Sequence, residues 1–287
     1  MVTQTLRNGV SGSNLVNLPS SRQGAAAPPY EFCSVKREGR LTIVTLNRPD
    51  VLNALHPPAH FELAEVFDAF AVDPDQWIAI VTGAGSRAFS AGNDLKYQAG
   101  GGRMSLPKSG FAGLTGRFDL DKPLIAAVNG IAMGGGFEIA LACDIVIAAE
   151  TAVFALPEPR VGLAALSGGL HRLPLEIGMK RALGMILTGR RVSASEGLSL
   201  GFVNEVSPSA SLMTCARQWA AAILEASPMS VRASKEAVYR GMAERSVSGA
   251  LEAQSHYEAV AAMFTSEDFI EGPRAFADKR PPEWKGR

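Results

Sequence analysis

Two glutamates stand in surroundings that could hold a carboxylate ready for chemistry. Glu138 follows a run of three glycines, and Glu158 lies between Pro157 and Pro159 in a largely apolar stretch. Prolines fix the backbone, and apolar neighbours raise the pKa of a carboxyl group. Taken singly, each glutamate also has a structural interpretation; Glu138, for example, would be favoured in the first turn of a helix. Taken together, two carboxylates on either side of a reacting centre are a standard arrangement for paired proton transfer.

Two segments rich in small residues could bring backbone amides close to a ligand. Residues 130–138 follow a predicted strand and open a predicted helix with Gly134, Gly135 and Gly136. Consecutive amides at a helix N-terminus, aided by the helix dipole, favour a developing negative charge. A tight strand-to-helix turn would use the same glycines, and the spacing is neither that of a dinucleotide fingerprint nor that of a P-loop. Residues 89–94 also follow a predicted strand, and their small side chains would let a ligand approach the backbone.

Histidine and serine offer weaker alternatives. His56 abuts Pro57, His60 and His256 lie on predicted helices, and His171 has no ligand partner at metal spacing, so we expect no metal site. Neither Ser90 nor Ser167 stands in the G-x-S-x-G elbow of an α/β-hydrolase. The sequence therefore argues against a zinc enzyme and against a serine hydrolase.

The elements that must position these segments alternate between strand and helix. Short apolar runs predict strands at 31–37, 41–47, 77–81, 124–128 and 145–149. Helical spacing and turn signals predict helices at 57–73 and 135–143 and, in the last third of the chain, at 193–199, 209–226, 228–242, 246–263 and 266–278. We therefore expect a layered α/β core followed by a helical region.

Composition limits the partners and the compartment. The chain has 28 basic and 28 acidic residues, so it has no net field to attract nucleic acid or an anionic membrane surface. Its three cysteines form no C-x-x-C pair, and we expect a reducing cytoplasm. No apolar run is long enough to span a bilayer. Residues 1–29 are expected to be a flexible N-terminal extension, with a short organellar targeting segment as the alternative.

Ordered motifs over residues 31–287 resemble the crotonase superfamily, also called the enoyl-CoA hydratase/isomerase family. The resemblance rests on Asn47-Arg48-Pro49, Asn53-Ala54-Leu55, Phe89 to Leu95, Lys122-Pro123, Asn129-Gly130, Gly134 to Glu138, Asp144, Phe154 to Glu158, Gly162, Thr188-Gly189-Arg190, Gly201 to Asn204, Glu271-Gly272, Phe276 and Lys279-Arg280. It implies a spiral core of β-β-α units over residues 30–206 and a helical trimerisation region over residues 207–287. It also implies assembly as a homotrimer or a dimer of trimers.

The resemblance assigns roles to individual residues. By motif position, the thioester oxygen would lie between the backbone N–H groups of Ala91 and Gly135. Glu158 would protonate C2 of a 2-enoyl-CoA, while Glu138 would help to activate the water that is added. The positions that would line the substrate and coenzyme A site are Val51, Asn53, Ala54, Gly92, Asn93, Asp94, Leu95, Gly134, Leu166, Phe276 and Lys279. No metal or organic cofactor is expected beyond the coenzyme A that the substrate carries.

Two departures from the family pattern affect the expected substrate. Leu166 stands in Ala165 to Gly169, where hydratases commonly have a glycine that helps to position the water, and this loop is similar to that of the carnitinyl-CoA dehydratase branch. Asp50 occupies a position where a lysine often lies near the phosphates of coenzyme A. The expected activity is hydration of an enoyl-CoA. The alternatives are an isomerase, a dehydratase for a polar acyl group, and a non-catalytic relative that binds coenzyme A or RNA.

Overall fold

The computed structural model describes residues 30–287. The expectation for residues 1–29, an extension or a targeting segment, lies outside the described residues. Within the described part, no helix is long and apolar enough to cross a membrane.

Ten strands of the described residues form two sheets. In chain order they are β1 (Cys33–Glu38), β2 (Leu41–Leu46), β3 (Ile78–Gly83), β4 (Ala88–Ser90), β5 (Leu124–Val128), β6 (Ile131–Met133), β7 (Ile145–Ala149), β8 (Val153–Ala155), β9 (Val192–Ser193) and β10 (Glu205–Ser207). The larger sheet has the order β1-β2-β3-β5-β7-β10, and the smaller sheet has the order β4-β6-β8-β9. Only the β1/β2 and β8/β9 pairs are antiparallel, and the other pairs are parallel.

The helices lie between and after the strands. They are α1 (Pro57–Val72), α2 (Leu95–Ala99), α3 (Gly135–Ala142), α4 (Gly169–Ile177), α5 (Met179–Thr188), α6 (Ala194–Leu200), α7 (Leu212–Leu224), α8 (Pro228–Gly241), α9 (Val247–Ala253), α10 (Glu258–Thr265) and α11 (Glu267–Ala277). The mixed α/β fold predicted from the sequence is confirmed.

The central strands of the larger sheet are covered on both faces. All residues of β3 and β5 are buried, as the short apolar runs in the sequence indicate for parallel strands. Helix α7 packs against β3, β5 and β7, while β4 and α3 pack near β5. Burial on both faces therefore fixes the positions of the loops that follow these strands.

The packing of the C-terminal helices changes after α7. β10 ends at Ser207 and pairs with β7, and α7 contributes Cys215, Ala216 and Ala220 to the main core. A separate small cluster of buried residues begins beyond α7, with Ala233 and Tyr257 packed together. The change in packing therefore lies after Leu224, because α7 is needed to cover the larger sheet.

Candidate functional site

The smaller sheet brings the candidate segments together. Its strands β4, β6 and β8 are parallel neighbours, so their carboxyl ends share one edge. Residues 91–94 follow β4, Gly134 and helix α3 follow β6, and Glu158 follows β8. In α/β folds, ligands characteristically bind beyond the carboxyl ends of parallel strands. This edge is therefore the candidate active site.

Glu138 is buried in the first turn of α3, with 3% of its surface exposed. Its Oε1 accepts a hydrogen bond from the N–H of Gly169, at 2.9 Å. The pKa of Glu138 is raised to about 7, chiefly by burial; the nearby Glu158 carboxylate contributes to the rise, while the amides of Gly169 and Ser167 and the guanidinium of Arg172 oppose it. Glu138 can therefore take up or release a proton near neutral pH, and a loop amide holds it in place.

Glu158 opens a short 3-10 turn at the end of the loop after β8. Its Oε2 is buried and has no hydrogen-bond partner among residues 30–287. Burial also raises the pKa of Glu158. A Cβ built on Gly134 would lie 2.7 Å from Glu158 Oε1, so the glycine is what allows the carboxylate to approach the start of α3. The two glutamates thus flank the same helix start, one of them held and the other unpartnered.

The glycine run at the start of α3 is required by close packing on both sides. A Cβ on Gly136 would lie 2.0 Å from the carbonyl oxygen of Ser90, and a Cβ on Gly135 would lie 2.5 Å from the ring of Phe111. The N–H of Gly135 is the first of the helix and donates to no atom of the described residues. It is one of the free amides that a helix N-terminus presents to an anion.

The loop after β4 supplies a second free amide, but not at the expected residue. Three of the four N–H groups in Ala91–Asp94 already donate within the protein, and the exception in the described structure is Asn93. The three acceptors are the Leu52 carbonyl, at 2.9 Å from the Ala91 nitrogen, the Ser90 hydroxyl and the Leu55 carbonyl. The assignment of Ala91 as a donor to the thioester oxygen is therefore corrected, because its N–H is already used.

Gly92 joins this loop to the helix start. Its φ of +86° favours glycine, and a Cβ there would lie 2.8 Å from the nitrogen of Gly135. The free N–H groups of Asn93 and Gly135 therefore belong to two segments in direct contact. Together with the glutamates they form a site that combines two carboxylates with two unpaired amides.

A cavity of about 1050 Å³ adjoins this site. Phe111, Ser167 and Gly168 line the cavity. The ring of Phe111 packs against Gly135, and Ser167 and Gly168 directly precede Gly169, whose amide holds Glu138. Leu166 also lines it and is 77% exposed. The cavity continues between the core and the helices α8 and α10, and its volume suits a drug-sized organic group.

Comparison with known proteins identifies the family. The family model for enoyl-CoA hydratase/isomerase matches residues 36–287. The chain belongs to the enoyl-CoA hydratase/isomerase family. This result confirms the resemblance to the crotonase superfamily.

Relatives within the enoyl-CoA hydratase/isomerase family carry two kinds of name. A carnitinyl-CoA dehydratase of Citrobacter koseri is 46% identical over 261 residues, which cover 88% of this chain and 97% of the relative. A carnitinyl-CoA dehydratase of Salmonella enteritidis is 45% identical over 267 residues, which cover 90% of this chain and 99% of the relative. The crystal structure of an enoyl-CoA hydratase from Mycobacterium tuberculosis matches with a TM-score of 0.83 at 35% identity, covering 89% of this chain and 99% of that one. A carnitinyl-CoA hydratase from Mycobacterium avium matches with a TM-score of 0.70 at 39% identity and the same coverage.

The residues expected to line the coenzyme A site differ from one another in how exposed they are. Val51 is half-buried in a 3-10 turn, Ala54 is buried, and Leu95 is 45% exposed at the start of α2. The Asp94 side chain accepts from the N–H of Tyr97, at the start of α2, and forms an ion pair with Arg48 at 2.9 Å. These contacts hold the loop that presents Asn93.

Two of the residues expected to bind coenzyme A, Phe276 and Lys279, lie near the C-terminus on the surface of the described structure. Phe276 is 87% exposed at the end of α11, and Lys279 is exposed just beyond it. In the part of the chain from residue 30 onward, no group of three or more His, Cys, Asp or Glu side chains is placed to hold a metal ion.

Asn53 is a scaffold residue in this structure and not a surface that a ligand can reach. It is 1% exposed; its Nδ2 donates to the carbonyls of Ala84 and Ala88, and its Oδ1 accepts from the N–H of Arg48. The side chain therefore ties the turn before α1 to the loop that enters β4.

Asn53→Ala is expected to lower the free energy of unfolding by about 2–4 kcal/mol, because it removes the three hydrogen bonds with Ala84, Ala88 and Arg48 at once. Urea unfolding followed by circular dichroism measures this. A variant as stable as the wild type, with only a raised KM for acyl-CoA, would instead support a direct role for Asn53 in binding.

Sequence reasoning missed two groups that shape the site. Gly169 donates to Glu138, and Phe111 forms the wall beside Gly135. Phe111 lies just after Gly110 in a stretch with glycines and Pro107, and such a loop-like pattern does not indicate which side chain turns inward. The Gly168-Gly169 pair was seen as part of a loop, although a glycine pair just before a helix could have suggested a further free amide.

Proposed function

We propose that this protein is a hydro-lyase that adds water across the double bond of a 2-enoyl-CoA thioester. The observation that carries the proposal is a pair of glutamates in unlike surroundings: Glu138 is buried and held by an amide, whereas Glu158 is half-buried and has a buried oxygen without a partner among the described residues. Family membership supports an acyl-CoA substrate and this class of chemistry.

The proposed mechanism gives each group one task. The N–H groups of Asn93 and Gly135 bind the thioester oxygen and stabilise the negative charge that it gains in the enolate. Glu138, in its ionised form, takes a proton from water while the hydroxyl oxygen bonds to C3. Glu158 gives its proton to C2 as the enolate collapses. Since two neighbouring carboxylates resist ionising together, one shared proton is the state the site favours before reaction.

The reverse reaction with a polar acyl group is a second candidate. The same groups would remove a proton from C2 and return a hydroxyl group from C3 as water. The names of the relatives at 45–46% identity favour this candidate. So does the cavity, whose lining includes Glu176 and Tyr239 besides apolar side chains.

A panel of thioesters tests the proposal. We expect loss of the conjugated enoyl absorbance with 2-enoyl-CoAs, and the chain length or polar group giving the highest kcat/KM would identify the acyl class. The panel includes unbranched acyl chains of several lengths and one acyl chain that ends in a quaternary ammonium group. Binding of acyl-CoA without turnover of any member of the panel would contradict the proposal and favour a non-catalytic relative.

We further propose that Lys279 contacts the phosphates of coenzyme A, in line with the resemblance. It is exposed, and it forms no ion pair with a described residue, whereas Lys285 in the same tail lies 3.6 Å from Glu283. Assembly as a trimer or a dimer of trimers, with the contact crossing a subunit boundary, belongs to the same proposal.

Lys279→Ala is expected to raise KM for acyl-CoA more than it lowers kcat, because the contact is the same in the ground and transition states. The increase should shrink at high salt. Lys285→Ala serves as the control. A matched acyl-pantetheine thioester lacks the nucleotide, so an equal penalty on both substrates in Lys279→Ala would show that Lys279 does not contact it.

A further inference from the structure

Arg172 on α4 joins two segments that wall the candidate active site. Its Nη2 donates to the carbonyl oxygen of Thr115, at 2.9 Å. A Cβ built on Gly168 would lie 2.1 Å from Arg172 Nη1, so the guanidinium lies directly against this glycine. The side chain therefore bridges the loop that carries Phe111 and the start of α4, where Gly168 and Gly169 lie.

Both joined segments contact groups of the candidate active site. The Gly169 N–H holds Glu138 Oε1, and the ring of Phe111 packs on Gly135. The Phe111 loop is held in an unusual backbone conformation, since the non-glycine Ala112 has a φ of +54°. A loop of this kind keeps its conformation only when its surroundings fix it.

Arg172 differs from the other cations that line the cavity. Arg232 and Lys235 each lie 2.8 Å from a carboxylate, Asp121 and Asp144 respectively, whereas Arg172 forms no ion pair within residues 30–287. Burial lowers the pKa of Arg172, but a guanidinium remains charged at neutral pH.

We propose that Arg172 is a positioning residue that locks the Thr115 loop to the start of α4 at Gly168–Gly169 and so keeps the Gly169 amide on Glu138. This inference rests on the proposed function for its kinetic consequences, but the positioning itself concerns the ligand-free protein.

The charge of Arg172 should affect the pH dependence of the reaction rate, which a purely structural role would leave unchanged. Burial is the main cause of the raised pKa of Glu138; Glu158 raises it further, and Arg172 lowers it. The titratable groups that face Arg172 are Tyr239, Cys143 and Glu138. Since Glu138 must be ionised to accept a proton from water, removal of the cation should move the acid limb of the rate profile to higher pH.

The test compares Arg172→Gln with Arg172→Lys and with Arg117→Gln. Arg117 is the matched control, because it also holds the Phe111 loop, donating to the carbonyls of Gly113 and Ala64, but makes no contact with Gly168 or Gly169. We expect Arg172→Gln to lower kcat roughly 10- to 100-fold, as a misplaced catalytic group does, with little change in KM. Arg172→Lys should restore the acid limb but not the full kcat, and Arg117→Gln should leave the acid limb in place.

Hydrogen exchange of the Gly169 amide in the ligand-free protein separates this inference from the proposed function. We expect faster exchange at Gly169 in Arg172→Gln than in the wild type and in Arg117→Gln, whether or not any thioester is turned over. An unchanged exchange rate at Gly169 in a folded Arg172→Gln protein, or an acid limb that superimposes on that of the wild type, would overturn the proposal.

Discussion

Replacing Glu158 by Gln is expected to lower turnover of a 2-enoyl-CoA by about 10²- to 10⁴-fold, the usual contribution of a positioned acid or base. Gln has nearly the same shape and fills the space beside Gly134, where the carboxylate now lies. The change therefore removes the transferable proton and leaves the packing. KM should change little, since Glu158 acts on C2 and not on coenzyme A.

Glu138→Gln is expected to reduce turnover to a similar degree. The Gln carbonyl oxygen can still accept the Gly169 N–H, so the local fold is retained. Glu196→Gln, which alters a surface carboxylate paired with Arg190, serves as the control for both variants. The measurement is the rate of hydration of a 2-enoyl-CoA by each variant. Near-normal hydration by either site variant removes that glutamate from the mechanism, and a loss confined to Glu158→Gln would indicate isomerase chemistry with a single base.

Gly135→Pro is expected to lower kcat/KM by an amount equivalent to roughly 3–4 kcal/mol, because it deletes one of the two donors to the thioester oxygen. Gly135 is the first residue of α3, a position at which proline is well tolerated because its N–H has no helical partner. The backbone consequence is therefore small, but a new Cβ would meet the ring of Phe111.

Gly135→Ala isolates the role of the donor. Alanine introduces the same contact with Phe111 and keeps the N–H, so the difference between the two variants reports the amide alone. Circular dichroism and thermal unfolding establish that both fold. Equal activity of folded Gly135→Pro and Gly135→Ala would show that this N–H does not bind the reacting oxygen.

The sequence predicted the main sheet and most long helices because their signals are local. Apolar runs gave β3, β5 and β7 nearly to the residue, since strands buried on both faces are continuously apolar. The region 246–263 was predicted as one helix, but the structure interrupts it between Ala253 and Glu258. Helices α4 and α5 were missed because Pro174 lies inside α4 and glycines border both, which conceals the helical pattern.

The smaller sheet could not be predicted from pattern. Its strands have two or three residues each, too few for any periodicity, yet their shared edge is what gathers the site. The two glutamates were identified in advance because their neighbours along the chain are unusual. The sequence could not show which backbone amides are free, because the Ala91 N–H donates to the carbonyl of Leu52, a residue distant in the chain.

The most direct test of the account is the fate of solvent oxygen and hydrogen. The purified protein is incubated with a 2-enoyl-CoA in water enriched in ¹⁸O, and in a parallel sample in D₂O, and the thioester products are analysed by mass spectrometry. The account predicts a 3-hydroxyacyl-CoA that carries one solvent oxygen at C3 and one solvent hydrogen at C2, and that forms about 10²- to 10⁴-fold more slowly when Glu158→Gln replaces the wild type. A product with a shifted double bond and no solvent oxygen, or release of free coenzyme A and a carboxylic acid, would contradict it.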